Sequence, residues 1–162
     1  PIIPYNLRHY SEAMKNAMMN FRTKNVTSFM MDNGASLQYL EEAIENFEDS
    51  ANKFMTHLDS VDFDNPLEIR QINDQLMFLD KVFIMGEGLP GRPAFKHAIF
   101  APTKFNSYGS TAFPGISDLL HGIKKLVGKE KKRRWIGIKR HVSDLMIMVQ
   151  NAADFLKPFD EI

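Results

Sequence analysis

Apolar residues recur in steps of three and four along most of this chain, and that spacing restricts it to helices. The longest stripe runs through Leu37, Leu40, Ile44, Phe47, Ala51, Phe54, Leu58 and Val61. A second holds Leu7, Tyr10, Met14, Ala17 and Phe21, and a third Ile69, Ile72, Leu76, Leu79 and Phe83. The last holds Trp135, Ile138, Val142, Leu145, Val149, Ala152 and Leu156. Steps of three and four keep side chains on one helix face, where a strand needs a period of two. Four such stripes, each requiring a partner for its apolar side, predict an all-α four-helix bundle. With 162 residues, 44% of them apolar and including 13 Phe and 10 Met, the chain can fill that core as one domain, 1–162.

Boundary chemistry supports the same division. Asn33-Gly34 is a turn signal, and Ser36 behind it is the expected N-cap of the second long helix. Asn65-Pro66 reads as an N-cap followed by proline at the first helical position. Gly86, Gly88, Pro90, Gly91 and Pro93 then interrupt the pattern, so residues 86–115 are expected to form a long irregular crossover between the third and last long helices. Pro114-Gly115 should open a shorter helix through about Val127, which Gly128 ends. The last helix is expected to begin near Lys131 or Lys132.

Composition removes several functions. Lys and Arg number 20, as do Asp and Glu, leaving no net charge to hold a nucleic acid. No apolar run reaches the roughly 18 residues of a membrane span, so no direct membrane contact is expected of this chain. Its lack of cysteine removes disulfides, thiolate zinc sites and a cysteine nucleophile. The first residue is Pro1 rather than Met, which reads as a fragment or processed form. Asn25-Val26-Thr27 fits the N-glycosylation acceptor pattern in an expected loop, making Asn25 a candidate glycan site.

Catalytic constellations are thin. None of the five histidines follows a glutamate by three residues, as a di-metal bundle needs. Asp118 and His121 have that spacing as a single pair, which reads as a surface interaction rather than a metal site. Ser36, Asp74 and His97 can be written as a triad, but no Gly-x-Ser-x-Gly elbow supports it. Each has an ordinary role: Ser36 caps, Asp74 lies on a helix face, and His97 anchors the crossover by hydrogen bonding. The basic run from Lys129 to Arg134 reads as a solvated inter-helix turn. Gly86-x-Gly88 lacks the strand-to-helix setting of a dinucleotide loop.

Specificity comes from the crossover. Asn73-Asp74-Gln75-Leu76-Met77-Phe78-Leu79 is followed by Gly88-Leu89-Pro90-Gly91-Arg92-Pro93, then His97, Ala101-Pro102, Asn106, Tyr108 and Phe113-Pro114-Gly115-Ile116. In order and spacing these resemble the C-terminal, transferrin receptor-like dimerisation domain of the glutamate carboxypeptidase family. The likeness reaches weakly into Arg8-His9-Tyr10 and Gln150-Asn151-Ala152-Ala153. It implies a type II membrane or secreted glycoprotein parent with protease and apical domains that this chain lacks. The parent would be a zinc-dependent carboxypeptidase acting on C-terminal glutamate or similar residues. Zinc and the catalytic groups would lie in that missing protease domain, so no cofactor, metal ligand or catalytic residue is expected here. The implied partners are a second copy, as a homodimer, and the parent's own protease domain.

The resemblance further implies that the crossover reaches the substrate pocket through an Asn-Lys-Tyr segment. By position that segment is Asn106, Ser107 and Tyr108. Asn106 and Tyr108 match, while Ser107 stands where glutamate-selective members have lysine. A lysine gives a carboxylate a charge-assisted hydrogen bond, roughly twice as strong as the neutral one that serine can donate. Lys104, three residues before Ser107, is the candidate to compensate. The alternative implied by the same likeness is a non-enzymatic, transferrin receptor-like dimerisation and ligand-binding domain. The stripes without the motifs would support only a helical interaction module.

Overall fold

The computed structural model describes residues 1–105 and 112–158. Its described residues form an all-α fold with helices α1 Leu7–Thr23, α2 Val26–Asp32, α3 Gln38–Leu58, α4 Pro66–Val82, α5 Pro114–Leu120 and α6 Gly128–Phe155. The long helices α1, α3, α4 and α6 are those that the stripes predict. α3 is the centre, packing most extensively on α6 and also on α1, while α4 and α5 close against α6. Met14, Leu40, Phe47, Leu79, Ile138, Leu145 and Val149 are fully buried. Each lies on its predicted stripe, so one apolar face per helix builds one continuous core.

The ends follow local chemistry in places and depart from it in others. Asn65 Oδ1 accepts from the amides of Leu67 and Glu68, capping α4 ahead of Pro66 as expected. Ser36 accepts from the Gln38 amide at 3.2 Å, but the N-cap position of α3 falls on Leu37. The short helix α2 has no counterpart among the four stripes. Asn25 adopts a left-handed φ of 59° at its start, so the glycosylation pattern lies at a helix junction and not in a loop. Asparagine tolerates that conformation, which lets α1 turn into α2 without a glycine.

Two expectations near the C-terminal third need correction. The helix from Pro114 stops at Leu120 and is followed by a separate 3-10 turn, Ile123–Lys125, after Gly122 with φ 71°. Gly128, expected to end a helix, instead opens α6 with φ 59°. A left-handed glycine serves an entering chain as well as a leaving one. The basic run consequently lies in the first turns of α6 rather than in an inter-helix turn. Among the described residues no helix is long and apolar enough to cross a membrane.

Candidate functional site

Between α4 and α5 the chain makes no helix among its described residues, yet it is not loose. It folds back on itself through backbone hydrogen bonds from Met85 N to Lys96 O, from Leu89 N to Phe95 O and from Ala98 N to Phe83 O, each 2.8 Å. Isolated bridges pair Ile84 with His97 and Phe100 with Ala112. Gly88, with φ 78°, lets the turn close: a Cβ there would meet the Pro93 carbonyl oxygen at 2.6 Å. Phe113, at the far end, holds a left-handed φ of 53° while fully buried, its amide donating to Ile99 O at 3.2 Å. Such a conformation persists only where the surroundings fix it.

His97 performs the anchoring role read from the sequence. Its Nδ1 accepts from the amides of Ile99 (3.2 Å) and Phe100 (3.0 Å). With Nδ1 accepting, the ring proton belongs on Nε2, 3.5 Å from the Tyr10 hydroxyl on α1. The Tyr5 hydroxyl donates to that same oxygen at 2.9 Å. Phe83 stacks on Tyr10 with centroids 5.1 Å apart, and Phe100 meets Tyr10 edge-on at 5.0 Å. Burial in this aromatic nest lowers the His97 pKa, with Asp80 opposing the shift, and burial raises that of Tyr10. The neutral ring is the form that keeps both amides bound.

A second anchor, which sequence reasoning missed, is a buried ion pair. Arg92 Nη2 meets Asp118 Oδ2 at 2.6 Å, with side chains only 10% and 5% exposed. The other carboxylate oxygen accepts from the Lys104 amide at 2.7 Å, and Arg92 Nη1 donates to the Pro102 carbonyl. One acid on α5 thus fixes both the Gly-rich turn and the stretch of chain that leads to Phe105. Asp118 is not the surface partner of His121 that the spacing suggested. His121 instead stacks on Phe105 at 3.8 Å, and Lys104 Nζ lies 5.4 Å over the same Phe105 ring. The pair is hidden in the sequence because its two charges lie far apart and Asp118 has a nearer candidate partner in His121.

His141 is the third element. It is 2% exposed on α6, and neither ring nitrogen has a hydrogen-bond partner among the described residues. Burial lowers its pKa to about 4. Gly115 of α5 lies directly against it: a Cβ there would collide with Nε2. Position 141 falls three after Ile138 on the α6 stripe, a spacing that marks it as buried. His141 also borders a cavity of about 660 Å³ between α6 and the turn from Gly86 to Gly91.

The remaining candidates separate. Asn106, Ser107 and Tyr108 lie outside the described residues. They are flanked by Lys104, held by Asp118, and Ala112, bridged to Phe100. Ser36, Asp74 and His97 form no triad: Ser36 accepts from Gln38, Asp74 faces Arg70 at 4.0 Å, and His97 holds the crossover. Among the described residues no group of three or more His, Asp or Glu is placed to hold a metal ion.

Comparison with known proteins agrees with this architecture. Residues 35–157 match the transferrin receptor-like dimerisation domain family. The chain is 26% identical over 156 residues to a probable glutamate carboxypeptidase of Arabidopsis thaliana, covering 96% of this chain and 21% of that protein. It is 24% identical over 162 residues to an aminopeptidase of Rattus norvegicus, covering 99% and 21%. An inactive zinc metalloprotease of Schizosaccharomyces pombe is 28% identical over 148 residues, covering 86% and 18%. The chain therefore spans about a fifth of the length of the curated relatives it matches. With a family match from the turn before α3 to the end of α6, this chain belongs to the transferrin receptor-like dimerisation domain family.

Proposed function

We propose that this chain is the homodimerisation domain of a glutamate carboxypeptidase-like zinc metallopeptidase, and that its crossover lends a loop to the substrate pocket. The observation that carries the reading is the family match over residues 35–157, together with relatives named as carboxypeptidase and aminopeptidase. Zinc and the groups that activate water belong to a protease domain outside this chain, on an extracellular or membrane-anchored parent. The chain on its own catalyses nothing. Its role in chemistry is positional: His97 and the Arg92–Asp118 pair hold the crossover ahead of Asn106, Ser107 and Tyr108, and the Phe100–Ala112 bridge holds it behind them. Tyr108 supplies a hydroxyl for a substrate carboxylate, and Lys104 supplies the cation that Ser107 does not. Asn25, exposed at the α1–α2 junction, is the proposed glycan site.

Two assays test this. The 162-residue chain with added zinc should leave N-acyl-glutamate peptides intact, and clear turnover would overturn the division of labour. In the full-length protein, Tyr108→Ala should raise the Michaelis constant, and an unchanged constant removes the loop from the pocket. A non-enzymatic, receptor-like parent is the second reading, favoured by Ser107 and by the relative named as an inactive zinc metalloprotease. The presence or absence of zinc-ligating His, Asp and Glu in the full-length sequence separates the two.

A further inference from the structure

Residues 1–6 form no helix, yet their backbone is held at both ends. Asn73 on α4 accepts from the Ile3 amide at 2.8 Å through Oδ1 and donates to the Pro1 carbonyl at 3.1 Å through Nδ2. A side-chain carboxamide carries a donor and an acceptor side by side, as a peptide unit does. Two bonds of opposite sense, to residues two apart, fix the direction of the segment as well as its place. One bond alone would let it swivel. At the other end Asn6 Oδ1 accepts from the His9 amide at 3.1 Å and caps α1. Pro4, between these points, has no amide to satisfy and restricts the backbone of Ile3 before it. Ile2 and Tyr5 are half-buried and pack on the core.

This segment delivers Tyr5 to the aromatic nest. The Tyr5 ring stacks on Tyr10, with centroids 5.7 Å apart and planes 9° from parallel, and its hydroxyl donates to the Tyr10 oxygen at 2.9 Å. That oxygen lies 3.5 Å from His97 Nε2, a long contact whose strength depends on how well the Tyr10 ring is placed. Phe83, Phe100 and His97 meet Tyr10 from the crossover, whereas Tyr5 meets it from the segment that Asn73 holds. The hydrogen bonds of Asn73 go to that segment and not to the crossover. Any influence of Asn73 on the crossover therefore passes through Tyr5 and Tyr10.

We infer that residues 1–6 are a strap that places Tyr10, and that Tyr10 is a positioning residue for the crossover. With its ring and oxygen in place, His97 keeps its acceptor nitrogen on the Ile99 and Phe100 amides. The coupling holds whatever the crossover meets, so it stands apart from the peptidase reading above. Residue-resolved hydrogen exchange on the full-length protein tests it. Asn73→Ala, at a half-buried α4 position, should speed exchange at Ile99 and Phe100 several-fold and leave Phe47 on α3 unchanged. Tyr5→Ala should do the same. Tyr5→Phe, which keeps the stacked ring, should restore part or all of the protection. A general loss of stability would move Phe47 as much as Ile99. Unchanged exchange at Ile99 and Phe100 in either alanine variant, equal acceleration at Phe47, or no recovery in Tyr5→Phe would overturn the coupling.

Discussion

Along α3, the residues Leu40, Ile44, Phe47, Ala51 and Phe54 repeat one kind of contact turn after turn, whereas among the described residues of the crossover from Phe83 to Phe113 no contact repeats. The helical frame distributes its stability over dozens of small apolar contacts, none of which is directional. Among its described residues the crossover relies on a few directional ones: two amides on one imidazole nitrogen, a buried ion pair, and isolated bridges such as Phe100 with Ala112. Frame positions should therefore tolerate conservative apolar exchange and govern global unfolding. Crossover positions should tolerate little exchange, and most of their failures should be local. For a domain proposed to join two subunits and present a loop, this would separate assembly from presentation.

The largest expected effect tests the frame. Phe47→Ala, at a fully buried α3 site, should lower unfolding free energy by about 4 kcal/mol in urea titration. A loss below about 1 kcal/mol would mean that α3 is not the centre of the core.

Next is the ion pair. Asp118→Ala strands the Arg92 guanidinium in a site 10% exposed and should destabilise by about 3 kcal/mol. Arg92→Met with Asp118→Leu should restore most of that stability, because apolar replacement of a buried pair is often neutral. If the full-length protein is the proposed peptidase, the double variant should still raise its Michaelis constant, since the Pro102 and Lys104 tethers are gone. Full recovery of substrate affinity would show that the pair serves stability alone.

His141 predicts a pH dependence of similar size. Its folded pKa of about 4 lies below the usual 6.5, so the unfolded chain binds more protons between those values. Stability is complete above pH 6.5 and falls as pH drops toward 4, by roughly 3 kcal/mol from this group. His141→Leu should flatten that part of the profile, and an unchanged profile would assign the acid sensitivity elsewhere. Gly115→Ala pushes a methyl against the same ring and should cost about 2 kcal/mol at neutral pH.

The smallest global effect comes from His97. His97→Leu should cost about 1–2 kcal/mol while speeding amide exchange at Ile99 and Phe100, because it leaves their N–H groups without an acceptor. His97→Asn retains an acceptor near the Nδ1 position and should recover part of the protection. Equal exchange in both variants would mean that the bridges alone hold the crossover.

The contrast between regions also decides how much the sequence makes legible. Leu7 through Phe21 and Trp135 through Leu156 are legible because a helix makes burial periodic. His97 is legible as an anchor because an irregular segment must satisfy its backbone through side chains, and an imidazole can accept at one nitrogen while donating at the other. Arg92 with Asp118, and Gly115 with His141, are not: the members of each pair lie far apart in the chain, and the fold rather than any local pattern brings them together. α2 escapes because a helix of seven residues is too short for periodicity to declare itself. Gly128 misleads because a left-handed glycine marks a helix end without saying which one.

Sedimentation equilibrium on the full-length protein tests the assembly role most directly. The proposed dimerisation role predicts the mass of two chains across the concentration range. A single-chain mass across that range would contradict the account at its centre.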